Sequence, residues 1–84
     1  MKYAYAAVFH RNEDGTHTVT YPDLPGCASS GDSEETAREN ATLALIKWIG
    51  NLRTQHRAIP KASALYAVKK GANEFVGLIS IEMK

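Results

Sequence analysis

Eighty-four residues, 44% hydrophobic and 23% charged, suit one small folded domain and argue against disorder. A formal net charge of +1 gives no bulk electrostatic reason to bind nucleic acid or an anionic membrane, and no apolar run approaches the roughly 20 residues of a membrane span. A lone cysteine, Cys27, excludes an internal disulfide and any cysteine-type metal spacing, which fits a reducing compartment.

In chain order, Tyr3 to His10 is aromatic and apolar and reads as a strand. His10-Arg11-Asn12-Glu13-Asp14 interrupts this stretch before it could serve as an export signal, so a cytoplasmic location is expected. Asp14-Gly15 is a turn signal, and Thr16 to Tyr21 is β-branched and aromatic, so the two strands form a hairpin. Its loop, roughly two to five residues long, leaves the register open. Pro22-Asp23-Leu24-Pro25-Gly26 is a rigid corner, because two prolines fix φ and Gly26 permits positive φ. A short third strand follows at about Cys27 to Ser30.

Gly31-Asp32-Ser33 announces a helix. Ser33 or Asp32 can cap its first amides, and Glu34 and Glu35 occupy the first turn, where the helix dipole favours acids. Ala37, Ala41, Ala44, Leu45, Trp48 and Leu52 recur at three- and four-residue spacing and form one apolar face. Gly50 either lies beyond a helix that ends near Ile49 or allows close packing within a helix continuing to about Gln55; Leu52 extends the stripe and favours continuation. His56 to Ser63, with Pro60, is a connector. Ala64 to Val68 has no clear assignment, and Lys69 to Asn73 is a turn. Glu74 to Met83 is a closing strand, apolar on both faces through Phe75, Val76, Leu78, Ile79 and Ile81. Such a strand belongs in a sheet centre or at a subunit interface. The order β-β-β-α-β predicts an α+β domain spanning 1–84, with a three-stranded antiparallel meander, one long helix and a final strand.

Charge is unevenly distributed. Residues 1–42 carry a balance of −4 and residues 43–84 a balance of +5. Acids at the helix start (Asp32, Glu34, Glu35, Glu39) and bases toward its end (Lys47, Arg53, Arg57) account for most of this through the helix dipole. The same acids could also form a patch for a basic partner. Lys69-Lys70 is too small to be a nucleic-acid footprint.

Candidate chemistry is sparse. His10 and His17 flank the hairpin loop and could face each other across it, but no third metal ligand is evident nearby. Cys27 follows a Pro-Gly corner, where a small apolar residue packs well, and lacks an evident base. Trp48 falls on the apolar stripe, and His56 sits in a basic connector. No catalytic residue, cofactor or metal is expected.

The run Tyr3 to Phe9, a short acidic loop, and then Val19-Thr20-Tyr21-Pro22-Asp23-Leu24-Pro25-Gly26-Cys27 resembles the opening of HicB-type antitoxins. Gly31-Asp32-Ser33-Glu34-Glu35-Thr36-Ala37-Arg38-Glu39-Asn40-Ala41, the Trp48 region and Ile59-Pro60 continue the resemblance over nearly the whole chain. It implies a partial ribonuclease-H-like fold that binds and masks a HicA-like toxin, an mRNA-cleaving protein. It also implies a homo-dimer or higher oligomer. Many members carry a carboxy-terminal DNA-binding segment; this sequence stops at Lys84, so no direct DNA binding is expected of it. Its pI of about 7.9 is more basic than suits a mask for an RNA-binding surface. Ribonuclease-H-type catalysis needs a carboxylate on the first strand, and Tyr3 to Phe9 has none.

The function expected from these features is an antitoxin-type binding protein, with an orphan oligomerising domain as the alternative. Tyr21, Asp23, Leu24, Cys27, Glu34 and Glu35 are the expected partner-binding residues. Phe75, Val76, Leu78, Ile79 and Ile81 are those expected for self-association.

Overall fold

The first strand is laid down in the middle of the sheet. The computed structural model describes residues 2–61 and 71–83, and within it β1 (Lys2–Arg11), β2 (His17–Thr20), β3 (Ala28–Gly31), α1 (Glu34–Thr54) and β4 (Glu74–Glu82) follow in order. The strands form one antiparallel sheet in the spatial order β3-β2-β1-β4. The chain thus makes a three-strand meander, crosses one face as a helix and returns along the other side of β1. This is the α+β arrangement expected. The unassigned segment 64–68 and the lysines at 69 and 70 lie outside the described residues.

The hairpin loop resolves to three residues. Gly15 donates to the Asn12 carbonyl at 3.1 Å and Asn12 donates to the Thr16 carbonyl at 2.8 Å, with Gly15 at φ +91°. A turn closed by a left-handed glycine is a favoured three-residue hairpin connection. The Asp14 carboxylate accepts from the Thr16 hydroxyl and amide at 2.6 and 3.0 Å, which holds its pKa below the ordinary value.

Alternation along β1 sends Tyr3, Tyr5, Ala7 and Phe9 toward the helix. Their cross-strand partners on β4 are Ile81, Ile79, Gly77 and Phe75. The core joins Tyr5, Ala7, Phe9, Val19, Ile79 and Ile81 of the sheet to Ala37, Ala41, Leu45 and Ile49 of α1. Trp48, Ala44 and Leu52, placed on the apolar stripe by spacing, pack at its margin and are only partly buried. The Phe9 and Phe75 rings stack at 4.8 Å, and the Arg38 guanidinium lies over Phe9 at 4.9 Å. Gly77 makes room for this stack, since a Cβ there would stand 3.2 Å from Phe9 and 3.3 Å from Arg38.

Both ends of α1 are closed by local chemistry. Ser33 is the N-cap, its hydroxyl accepting from the Thr36 amide at 3.1 Å, with Glu34 and Glu35 in the first turn. At the other end, His56 adopts φ +55° and donates to Arg53 O, while the Arg57 amide donates to Leu52 O at 2.9 Å. This double closure is the Schellman pattern, here with histidine where glycine is usual. The helix runs through Gly50, as Leu52 suggested. Close packing is not the reason for that glycine: a Cβ would meet only the Met83 methyl at 3.7 Å, an ordinary contact.

β4 decides between the two positions its apolar pattern allowed. It is an edge strand, not a central one, because only β1 pairs with it among the described residues. Its apolar residues divide by face: Ile79 and Ile81 are buried in the core and Phe75 stacks on Phe9, leaving Leu78, at 50% exposure, as the large apolar side chain open to solvent.

Candidate partner-binding surface

The corner between β2 and β3 consists of two successive turns. Leu24 donates to Tyr21 O at 3.0 Å, closing a turn with Pro22 second, and Cys27 donates to Leu24 O at 2.9 Å, closing another. In the second turn Pro25 precedes Gly26 at φ +96°, the residue pattern of a type II turn. A Cβ on Gly26 would stand 3.2 Å from the Trp48 ring, so the corner is pressed against the helix.

Its side chains are consumed by that packing. Tyr21, Leu24 and Cys27 are 2%, 1% and 4% exposed. The Tyr21 hydroxyl donates to the Ala41 carbonyl at 2.7 Å. Burial raises the Tyr21 pKa, the nearby Cys27 adds to the rise and Arg38 opposes it. Burial also raises the Cys27 thiol, which points at the Ala44 carbonyl. A protonated, enclosed thiol is a poor nucleophile. Tyr21, Leu24 and Cys27 therefore cannot offer side chains to a partner as expected from the sequence; they anchor the corner beneath α1. Asp23 is half-buried, and the Tyr5 pKa is raised by burial first and then by the Asp23 charge. Tyr5 in turn donates to the Pro60 carbonyl at 2.5 Å, tying the connector to the sheet.

Glu34 and Glu35 are exposed, and the Gly26 end of the corner stands apart from them. Gly26 abuts Trp48, fourteen residues beyond Glu34, which is roughly 21 Å along a helix. The Tyr21 end lies nearer, its hydroxyl on Ala41, seven residues or roughly 10 Å beyond Glu34 along the helix. Glu34 borders a shallow cleft of about 320 Å³ with Arg11, His17 and Asn73.

The two loop histidines do not meet. His10 is opposite Thr18 and His17 opposite Arg11, so they project from opposite faces of the sheet. His10 Nδ1 contacts Glu74 Oε2 at 3.2 Å, a partly exposed pair of modest strength. His17 Nδ1 is buried without a hydrogen-bond partner. Among the described residues no cluster of three His, Cys, Asp or Glu could hold a metal, and β1 has no Asp or Glu from Lys2 to Arg11. No helix among them is long and apolar enough to cross a membrane.

One surface was missed in the sequence. The outward side of α1 carries Leu43 and Ile46, 60% and 39% exposed, between Glu39 and Lys47. Regular spacing alone drew attention to the inner stripe, and these two residues had no place in it.

The model of the HicB-like antitoxin of bacterial toxin–antitoxin systems matches residues 5–84. The chain belongs to the HicB-like antitoxin family. A UPF0150 protein of Synechocystis sp., ssr1765, is 36% identical to this HicB-like chain over 59 residues, covering 70% of the chain and 75% of that protein. The N-terminal domain of Burkholderia pseudomallei antitoxin HicB superposes with a TM-score of 0.81 at 22% identity, covering 96% of the HicB-like chain and all of that domain. A toxin–antitoxin complex from Streptococcus pneumoniae holds a chain that superposes with a TM-score of 0.88 at 17% identity, covering 98% of the HicB-like chain and 70% of that chain. At these identities the solved structures establish the shared fold.

Proposed function

We propose that this HicB-like chain is an antitoxin that neutralises a cognate HicA-like mRNA-cleaving toxin by binding it directly. The observation carrying the reading is family membership across residues 5–84, and the same fold in a toxin–antitoxin complex supports it. The protein acts by occupancy and not by catalysis: its partial ribonuclease-H-like sheet has a central first strand without a carboxylate, and two-metal hydrolysis depends on such ligands. The chain works in the cytoplasm, where its target's mRNA substrate is found.

Contact with the toxin falls to the exposed acids Glu34 and Glu35 at the start of α1. A protein that grips RNA presents lysines and arginines, and these carboxylates complement them. The corner residues Tyr21, Leu24 and Cys27 serve this surface indirectly, by fixing α1 to the sheet.

Co-expression with the toxin encoded beside it should restore growth and yield a copurifying complex. Reversing both charges in Glu34→Lys/Glu35→Lys should weaken that complex about tenfold or more. Free toxin recovered beside the intact folded protein would refute the neutralising role and leave an interaction domain that lacks a toxin partner.

A further inference from the structure

The two ends of the molecule differ in charge. Arg38 lies over Phe9, and Gly50 faces Met83, which follows the Glu82 that pairs with Lys2. The close of α1 therefore stands over the start of β1, and the connector joins them there. This end carries Lys2, Arg53, Arg57 and Lys61, all exposed, and none of the four has an ion-pair partner among the described residues. No Asp or Glu occurs from Asn40 to Asn73. The acids that reach this end are Glu82, opposite Lys2, and Asp23, whose charge acts on Tyr5. The helix dipole accounts for Arg53 in the last turn, but not for Lys2 and Lys61, which lie outside the helix. A net charge of +1 hides this basic end because the acids gather at the start of α1.

The same end is grooved. A cleft of about 440 Å³ separates the start of β1 from the connector, with Tyr3, Tyr5, Ile59 and Pro60 along it and Lys2 and Lys61 beside them. The Tyr5 hydroxyl donates to the Pro60 carbonyl, which holds the connector in place against the strand. A second cleft of about 410 Å³, lined by Gly50, Arg53, Thr54 and Met83, continues the basic surface round the end of the helix. Volumes of this order suit small planar ligands.

We propose that this end binds single-stranded nucleic acid, with backbone phosphates on Lys2, Arg53, Arg57 and Lys61 and an unstacked base in the cleft beside Tyr3. Basic side chains around an aromatic and apolar groove meet both parts of a single strand, its charge and its flat bases. An acidic peptide would answer the charges but leave the walls at Tyr3, Ile59 and Pro60 without a partner. A duplex keeps its bases stacked and paired, so it offers the cleft nothing to hold. Glu34 and Glu35 stand at the far end of a 21-residue helix, roughly 30 Å away, so a basic protein held there leaves this end open. The inference does not rest on the toxin reading.

Fluorescence anisotropy of the full chain with labelled oligouridylate and oligothymidylate decamers tests it. At about 25 mM salt the Kd should lie at about 10–100 μM, and log affinity should fall against log salt with a slope of about 2–3 for four phosphate contacts. Lys61→Glu and Arg57→Glu should each weaken binding about fivefold or more. Arg11→Glu, the same change of charge at the opposite end, should stay within about twofold of the original. Tyr3→Leu keeps apolar bulk but removes the ring, and should weaken binding about threefold or more. Circular dichroism checks that each variant is folded; the three charge reversals, at exposed positions, decide the matter even where Tyr3→Leu is not. Equal affinity for the two decamers supports recognition through phosphate and base, and tighter binding of the uridylate adds a contact to the 2′-hydroxyl. Any of four results would overturn the proposal: no anisotropy change up to about 1 mM protein, affinity indifferent to salt, Arg11→Glu as weak as Lys61→Glu, or a duplex or an oligoglutamate bound as tightly as the single strands.

Discussion

The corner at residues 21–27 and the outer face of α1 invert the usual relation between conspicuous sequence and available surface. The corner has two prolines, a glycine, a tyrosine and the lone cysteine, yet Tyr21, Leu24 and Cys27 are almost wholly enclosed. The outer face has no motif, yet it leaves Leu43 and Ile46 in water. A chain of this size must make rigid local geometry wherever it can, because its core is small. Distinctive residues therefore gather where the backbone is hardest to shape, while an exposed helix face needs none of them.

Paired truncations should expose this contrast most sharply. Leu24→Ala should cost about 2–5 kcal/mol of unfolding free energy, and Leu43→Ala should fall within about 0.5 kcal/mol in a monomeric sample. Urea titrations of the two variants give the comparison directly, and equal losses would mean that the two regions are not distinct. Gly31→Ala probes the joint between them: a Cβ there would lie 2.4 Å from the Ala37 amide nitrogen. Backbone is the obstacle, so a loss of about 1–3 kcal/mol or more is expected from the same titration.

Tyr21→Phe is gentler, because the ring stays and only the hydroxyl that donates to Ala41 is lost. About 1 kcal/mol should disappear near neutral pH. The alkaline limb is more telling. The folded Tyr21 pKa is raised above its ordinary 10.0, mainly by burial, so the fold favours the protonated ring. That contribution is complete below pH 10 and is lost as the pH rises through the folded value. Buried Cys27, also raised from 9.0, adds a loss in the same direction. Urea midpoints measured on the alkaline side should fall with pH, and Tyr21→Phe should flatten that fall. The smallest expected effects are gains at the two helix positions that depart from preference. Gly50→Ala and His56→Gly should each add about 0.5–1 kcal/mol, read as a higher thermal midpoint.

Those last positions also show what could be read in advance. Pro22, Pro25, Gly26, Gly15 and Ser33 announced their turns and cap because each acts through its own backbone or its nearest neighbours. His56 did not, since its left-handed closure of α1 is imposed by the surrounding chain on a residue without that preference. Strand identity was legible in β4, but its place at the sheet edge was not, because apolar residues on both faces are compatible with either position. The burial of Tyr21, Leu24 and Cys27 was illegible for a related reason. Which side chains of the Pro-Asp-Leu-Pro-Gly run are covered depends on α1, a helix that comes later in the chain, and spacing does not show where it will lie.

The pairing of β1 with β4, which sets Lys2 opposite Glu82, has a consequence for how the molecule comes into being. Within this domain the sheet's central strand is made before its neighbour on one side, with β2, β3 and α1 between them. Until Glu74–Glu82 emerges, Phe9 lacks Phe75, and Tyr3 and Tyr5 lack Ile81 and Ile79. Closing so long a loop is slow, and apolar strand edges exposed meanwhile invite misassembly. The core stays unfinished until the chain has run from β1 through to β4.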